Sequence, residues 1–170
     1  PATENLRDFA AEKLNADVFS DEVGFNDIVD LTRDLPHYDI VILEDPVLSV
    51  AQLTTHRAAL ENFTSTGGKL IITGQLANSN GEALTGAEYY RKATQTSSDR
   101  NSTTFQQLPS LDFELQDDIL FDSAQYVQNI SGSLHFKTIQ RFSDDNESAI
   151  ATWDYGNGSV LFISDTAATH

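Results

Sequence analysis

Two continuous apolar runs on either side of a capped helical pattern most constrain the fold of this 170-residue chain. The first run lies within HYDIVILE, residues 37–44, and the second is KLIIT, residues 69–73. Both runs are rich in β-branched residues, which is typical of strands buried on both faces of a parallel sheet. The segment between them should cross over as a helix, and the connection should be right-handed.

The intervening segment carries start and stop signals for that helix. Ser49 and Gln52 form a capping-box pattern. Gly67 and Gly68 follow the helical segment and predict its end. An apolar stripe at helical spacing lies between these signals and consists of Leu53, His56, Leu60 and Phe63.

The N-terminal and middle segments carry weaker patterns. Residues 3–14 have the spacing of a helix with Thr3 as its N-cap, and residues 17–20 are a short strand candidate. Residues 86–92 predict a third helix. Residues 93–107 consist mostly of Thr, Ser, Gln and Asn, which predicts a long exposed polar loop.

The C-terminal third alternates between apolar and polar residues. Residues 134–142, 149–153 and 160–164 predict strands, and the glycine-containing link at 154–159 predicts a hairpin turn. Together these elements predict one α/β domain over residues 1–170. Its fold is expected to be a three-layer sandwich with a mainly parallel sheet and antiparallel C-terminal strands.

The charge balance restricts the classes of partner. The chain has 26 acidic and 10 basic residues, a formal net charge of -16. Such a surface repels phosphate backbones, so we expect no nucleic-acid partner. No run approaches the roughly 18 apolar residues that a membrane span needs. Scattered acids favour a protein adapted to high salt, with an ordinary acidic protein as the alternative.

The chain has no cysteine, which removes disulfides and thiolate chemistry.

Asparagine acceptor sites are more frequent than the composition predicts. The N-x-[ST] pattern favours an exported, N-glycosylated protein, although a Ser- and Thr-rich composition could also produce it. The pattern occurs at Asn62, Asn101, Asn129, Asn146 and Asn157.

The segments HYDIVILEDP, FTSTGGKLIITGQ and AIATWDYGNGSVLFISD, in this order, resemble the class I glutamine amidotransferase-like superfamily, in particular its ThuA-like and extracellular branches. The resemblance implies a flavodoxin-like sheet. Catalytic members carry a cysteine directly after the strand that corresponds to residues 70–73. Gln75 lies near that place here, and an amide is no nucleophile, so amidotransferase activity is excluded. Both ends look cut from a longer polypeptide when compared with this family.

Carboxylates at strand ends are weak catalytic candidates. Glu44 and Asp45 follow a predicted central strand, Asp165 ends another, and Gln75 lies between them along the chain. We favour a structural reading of these residues as caps and turn formers. The histidines have no carboxylate partner at motif spacing. They are His37, His56, His135 and His170.

A cluster of acids in LDFELQDDILFD is a weak candidate for calcium or magnesium binding. The spacing fits no EF-hand, and such clusters are expected in a chain this acidic. We therefore predict no metal or other cofactor. The cluster consists of Asp112, Glu114, Asp117, Asp118 and Asp122.

These patterns lead to one functional hypothesis and two alternatives. The leading hypothesis is a non-catalytic, glycosylated extracellular or cell-surface module of a salt-adapted, archaeal microbe. Its expected partners are other domains of the same polypeptide or surface proteins. One alternative is a hydrolase acting on sugars or peptides through the strand-end acids. The other is a domain that binds a small solute at the same sheet edge.

Overall fold

Strands make up most of the chain that the computed structural model describes, and this part of the chain contains one α-helix. The described residues are 35–44, 46, 48–77, 79–91, 96–97, 120–121, 125–130, 134–142 and 147–164. A 3-10 turn, Leu35–His37, precedes the first strand, and the helix α1 is Val50–Ser65. The strands are β1 (Ile40–Glu44), β2 (Lys69–Thr73), β3 (Glu82–Leu84), β4 (Ala87–Arg91), β5 (Thr96–Ser97), β6 (Leu120–Phe121), β7 (Gln125–Asn129), β8 (Leu134–Arg141), β9 (Ser148–Tyr155) and β10 (Gly158–Ile163).

Eight of these strands form one mixed sheet that curls into a half-barrel. Its order is β1-β2-β10-β9-β7-β4-β3, and β8 pairs with β9. The β1/β2 and β2/β10 pairs are parallel, and every other pair is antiparallel. Since β8 occupies one edge of β9, both β10 and β7 must pair with its other edge. The strands β5 and β6 form a separate two-stranded sheet.

The strand–helix–strand unit agrees with the sequence prediction. The strands β1 and β2 pair in parallel with Ile42 opposite Ile71. The capping box is present: the Ser49 hydroxyl accepts a hydrogen bond from the Gln52 backbone amide at 3.2 Å, and the Gln52 side chain accepts one from the Ser49 backbone amide at 3.0 Å. The buried face of α1 packs in one core with β2 and β10. This core includes Leu53, Leu60, Phe63, Leu70, Ile72, Val160 and Phe162.

Removing the cap should cost a measurable part of the stability. In Ser49→Ala the Gln52 amide loses its acceptor, and we expect the free energy of unfolding to fall by about 1 kcal/mol. Urea denaturation followed by circular dichroism measures the change. Thr54→Ala, on the exposed side of α1, is the matched control and should change stability by less than about 0.5 kcal/mol. Equal stability of Ser49→Ala and the wild type would contradict the role of the cap.

The predicted third helix is wrong, because its residues form β4. Burial alternates along β4, with Ala87 and Tyr89 buried and Glu88 and Tyr90 partly exposed. This period of two is that of a strand, and tyrosine favours strands. The turn before β4 reverses the direction of the chain. Thr85 and Gly86 have φ values of 50° and 78°, which is the conformation of a two-residue hairpin turn between β3 and β4.

The predicted three-layer sandwich with a mainly parallel sheet is also wrong. After β2 the chain enters the β3–β4 hairpin instead of a second crossover helix, so antiparallel pairs outnumber parallel ones. In the described chain α1 covers one face of the sheet. On the other face Ile40 and Ile42 are 41% and 39% exposed. The antiparallel C-terminal strands and their hairpin agree with the prediction.

Some predicted elements fall on residues whose structure is not described. These are the helix at 3–14, the strand at 17–20 and nearly all of the polar loop at 93–107. Within that loop, Thr96–Ser97 is described and pairs with Leu120–Phe121.

Trp153 is the largest side chain at the centre of the core, where it is 1% exposed. Its ring stacks on Phe136 with centroids 5.4 Å apart. The indole N–H donates a hydrogen bond of 2.7 Å to the Thr85 carbonyl oxygen. The Thr85 amide in turn donates to the Glu61 carboxylate at 3.1 Å. Trp153 and Glu61 thus hold the β3–β4 turn against α1.

Candidate functional site

The corner at the carboxyl end of β2 is the place where the resemblance implies a nucleophile. Gly74 follows β2 with φ of 72°, and its amide donates a hydrogen bond of 2.9 Å to the carbonyl oxygen of Ile163 at the end of β10. Gln75 follows and is only 7% exposed. Its side-chain amide donates to the Ala77 carbonyl oxygen at 2.9 Å. The side chain at this corner therefore points into the protein and is already hydrogen-bonded.

A second glutamine, from a distant strand, fills the rest of the corner. The side-chain oxygen of Gln125 accepts a hydrogen bond of 2.8 Å from the Leu76 amide. The Gln125 carbonyl oxygen accepts another, of 2.6 Å, from the Ser164 hydroxyl, which in turn accepts from the Gln125 amide at 3.1 Å. Both Gln125 and Ser164 are fully buried. Carboxamides do not titrate in water, so the described members of this network include no general base and no strong nucleophile.

Among the described residues, no group is placed to activate the Ser164 hydroxyl as a nucleophile. Its proton is directed to a backbone carbonyl oxygen, which is a weak base. Activation of a serine requires a neighbouring group that can take this proton, such as a histidine. Among the described residues, the network satisfies the buried polar groups of Gln125 and the backbone of residues 76 and 77.

Of the four weak catalytic candidates, the structure describes Glu44 and Gln75. Glu44 ends β1 in register with Thr73, so its backbone lies at the same sheet edge as Gln75. Asp45 and Asp165 lie outside the described residues. The same holds for all five candidate metal ligands, Asp112, Glu114, Asp117, Asp118 and Asp122. Among the described residues, no three His, Asp or Glu side chains are close enough together to hold a metal ion.

Three of the five predicted acceptor asparagines are described, and all three are exposed. Asn62 lies in the last turn of α1, Asn129 ends β7, and Asn157 lies in the β9–β10 turn. Asn101 and Asn146 lie outside the described residues. Exposure is the condition that a glycan imposes on its attachment site, and each described acceptor fulfils it.

The three described acceptors lie at the same end of the described sheet, near the C-terminus of α1. The Asn157 amide donates to the Ser65 carbonyl oxygen at 2.9 Å, which joins the β9–β10 turn to the last turn of α1. Glu61, beside Asn62 in the chain, accepts from Thr85 in the β3–β4 turn. We call this end, formed by residues 61–66, 85–86 and 156–157, the α1 pole.

Asn129 joins the α1 pole through the β3–β4 turn. It is in register with Ala87, and the amide of the following residue, Ile130, donates to the Gly86 carbonyl oxygen at 3.0 Å. Tyr155 lies at the same end, where partial burial and the Glu61 carboxylate raise the pKa of its phenol. No sequence pattern predicts this convergence, because the three acceptors are distant in the chain.

His135 has a carboxylate partner that motif spacing did not predict. Its ring Nδ1 lies 2.7 Å from an oxygen of Asp154 on the neighbouring strand. The His135 backbone has φ of 56°, a value that residues other than glycine rarely adopt. The side chain of His135 is 81% exposed and that of Asp154 is 48% exposed. An exposed pair of this kind contributes little to stability, and it lies at a bulge in the β8–β9 ladder.

A shallow groove runs between the 3-10 turn and α1. None of the side chains that line it titrates near neutral pH, so its lining offers no acid or base for catalysis. The lining residues are Leu35, Pro36, Ala58, Ala59, Asn62, Phe63 and Thr66. Within the described part of the chain, no helix has the length and hydrophobicity needed to cross a bilayer.

Comparison with known proteins reveals similarities of fold. No protein-family model and no curated protein matches the chain. The cytoplasmic protein STM1381 from Salmonella typhimurium LT2 is 10% identical with a TM-score of 0.55, and the match covers 82% of this chain and 65% of that protein. The N-terminal domain of mmIFT52 is 12% identical with a TM-score of 0.54, and the match covers 98% and 79% of the two chains.

A β-galactosidase from Rahnella sp. R3 is 15% identical with a TM-score of 0.52. The match covers 80% of this chain and 21% of the β-galactosidase. This chain thus spans just under two thirds of STM1381 and about a fifth of the β-galactosidase. At such identities the likeness concerns the fold alone. The resemblance to the amidotransferase-like superfamily is not tested by these matches and stays a prediction.

Proposed function

We propose that this domain is a non-catalytic module of a glycosylated surface or secreted protein, and that it serves interaction or structural spacing. The observation that carries the non-catalytic part is the closed corner after β2. There Gln75 is buried and hydrogen-bonded to Ala77, and Gln125 fills the space beside it. A catalytic corner needs an accessible nucleophile or a titratable pair, and these amides provide neither.

A cysteine placed in this corner tests whether it is closed. The chain has no cysteine, so Gln75→Cys introduces a single thiol. We expect this thiol to react with a soluble disulfide reagent roughly 100-fold more slowly than an exposed thiol, because a buried thiol is reached only through opening of the structure. The measurement is the labelling rate of the folded protein in dilute reagent.

Thr54→Cys, on the exposed side of α1, is the matched control for that rate. Circular dichroism establishes that both variants are folded, and labelling in urea should make their rates equal. If folded Gln75→Cys reacts as fast as Thr54→Cys, the corner is open to solvent, and the observation that carries the non-catalytic proposal is wrong.

The extracellular part of the proposal is supported by the acceptor asparagines. Asn62, Asn129 and Asn157 have exposed side chains, as attachment of a glycan requires. Intact-mass and glycopeptide mass spectrometry on the protein from its native host tests this part. We expect hexose-containing additions at several acceptors. A mass equal to that of the unmodified chain would contradict an exported, glycosylated protein.

Adaptation to high salt is the remaining part of the proposal, and the net charge of -16 supports it. Self-repulsion of the acids destabilises the compact state, and added salt screens it. We therefore expect the thermal midpoint to rise as potassium chloride is raised from about 0.1 M, where the Debye length is near 10 Å, to about 1 M, where it is near 3 Å. A midpoint that is highest in dilute buffer would argue against salt adaptation.

A further inference from the structure

The glycosylation pattern at Asn62 is divided between two sides of α1. Asn62 is exposed, whereas Thr64, which completes its acceptor pattern, is fully buried. The Thr64 hydroxyl donates to the Leu60 carbonyl oxygen at 2.9 Å. Residues two apart on a helix point in directions about 200° apart. A helix that exposes this asparagine must therefore turn its threonine away.

The helix end also holds the backbone of this acceptor site. The Asn62 carbonyl oxygen accepts hydrogen bonds from the Thr66 amide at 3.1 Å, the Thr66 hydroxyl at 2.9 Å and the Ser65 hydroxyl at 3.0 Å. The middle residue of the pattern, Phe63, is 5% exposed in the core. Reshaping residues 62–64 into an extended peptide would break the last turn of α1 and remove Phe63 from the core.

A transferase that selects N-x-[ST] must contact both the asparagine and the hydroxyl residue. On an extended peptide the two side chains lie on the same side, as residues two apart in a strand do. Folded α1 offers only the asparagine. We infer that Asn62 receives its glycan before α1 packs, on the unfolded chain. This inference rests on the proposed glycosylated function and adds the order of the two events.

Transfer of the glycan to Asn62 requires one co-reactant, a lipid-linked oligosaccharide phosphate. The bond between the sugar C1 and the phosphate oxygen breaks as C1 bonds to the Asn62 side-chain nitrogen. That nitrogen loses one proton to a base of the transferase, and the lipid phosphate leaves. Because folded α1 buries Thr64, a chain that reaches the transferase already folded keeps Asn62 unmodified.

The packing at Asn157 points the same way. At Asn157 the turn amide is bonded to the Ser65 carbonyl oxygen, and the next residue, Gly158, is buried against the backbone of Thr64 and Gly68. Both acceptor patterns therefore contribute a residue, Thr64 and Gly158, to the packed contact between α1 and the β9–β10 turn. Once folded, this contact stands between the transferase and the peptide that it must bind.

The test compares glycan transfer to folded and destabilised forms of the full chain. Purified oligosaccharyltransferase and its lipid-linked donor are added to the wild type, to Leu53→Ala and to Trp153→Ala, and Asn62 occupancy is followed by glycopeptide mass spectrometry. Both substitutions remove buried side chains and lie outside every acceptor pattern. We expect the initial rate of transfer to Asn62 to rise roughly tenfold or more in both variants.

Two controls make each outcome informative. Thr54→Ala, on the exposed side of α1, should be modified as slowly as the wild type. A synthetic peptide of residues 58–68 establishes that the transferase accepts the sequence. Equal transfer to folded wild type and to the peptide would overturn the inference. So would a variant whose unfolded fraction rises in urea titration while Asn62 stays unmodified and the peptide is modified.

The native-host glycopeptide measurement separates this inference from the proposed function. If the host protein carries no glycan, the proposed export is wrong, yet the difference between folded and destabilised chains in the purified reaction would still stand. If host glycans are present and folded protein is modified at Asn62 as fast as the peptide, the order of events is wrong and the proposed function is unaffected.

Discussion

Gly158→Ala should lower the free energy of unfolding by about 3 kcal/mol or more, at the upper end of what overpacking costs. A Cβ atom at this position would lie 2.1 Å from the Thr64 carbonyl oxygen and 2.2 Å from that of Gly68. Both are backbone atoms, so no side-chain rotation relieves the contact. We expect the start of β10 to move away from α1, and the hydrogen bond from Asn157 to Ser65 to be lost.

Urea denaturation followed by circular dichroism measures this effect. Ser159→Ala, the next residue along β10 and only half-buried, is the matched control and should change stability by less than about 1 kcal/mol. Gly158→Ala keeps the acceptor pattern at Asn157, because any residue except proline is allowed in the middle. A loss of less than about 1 kcal/mol in Gly158→Ala would mean that the turn does not pack against α1 as described.

Trp153→Ala should destabilise the domain by about 3–5 kcal/mol, the usual cost of deleting a fully buried tryptophan. The deletion removes the ring that stacks on Phe136 and leaves a cavity beneath the sheet. It also leaves the Thr85 carbonyl oxygen without the indole donor. Because this turn is tied to α1 through Glu61, the β3–β4 hairpin should loosen together with the core.

Trp153→Phe separates the contribution of apolar packing from that of the indole hydrogen bond. Phenylalanine keeps most of the apolar volume but has no N–H, so we expect a loss of about 1–3 kcal/mol from the unpaired buried carbonyl oxygen. The chain has a single tryptophan, so circular dichroism replaces fluorescence in these measurements. Equal stability of Trp153→Phe and the wild type would show that the hydrogen bond to Thr85 contributes nothing to folding.

The predictions that succeeded depended on short-range chemistry. The helix α1 begins at a capping box whose two residues are three apart, and the β9–β10 turn needs positive φ at Gly156, where φ is 61°. The prediction of a helix at 86–92 failed because so short a run has only a weak local preference, although its two tyrosines favour a strand. Its pairing with β3 and β7 decided the outcome.

The candidate site depended on contacts that no local pattern contains. Gln75 could be identified from the chain as the residue near the expected nucleophile position, but its burial could not. The closure of the corner comes from Gln125, 49 residues after Leu76, and from Ser164, 39 residues after Gln125. The partner of His135 is likewise 19 residues away in the chain. Contacts between residues this far apart in the chain can be predicted only when the strand order is known, and the spacing of residues in the sequence does not provide that order.

By itself, the sequence determined the strand–helix–strand unit, the C-terminal hairpin, the absence of a cysteine nucleophile and the positions of the acceptor asparagines. These depend on residue identity and on interactions between neighbours in the chain. Only the tertiary structure decided that the sheet is mixed, that amides close the corner, and that Asn62, Asn129 and Asn157 gather at the α1 pole. Each of these depends on which strands pair, and pairing is decided by burial of the whole core at once.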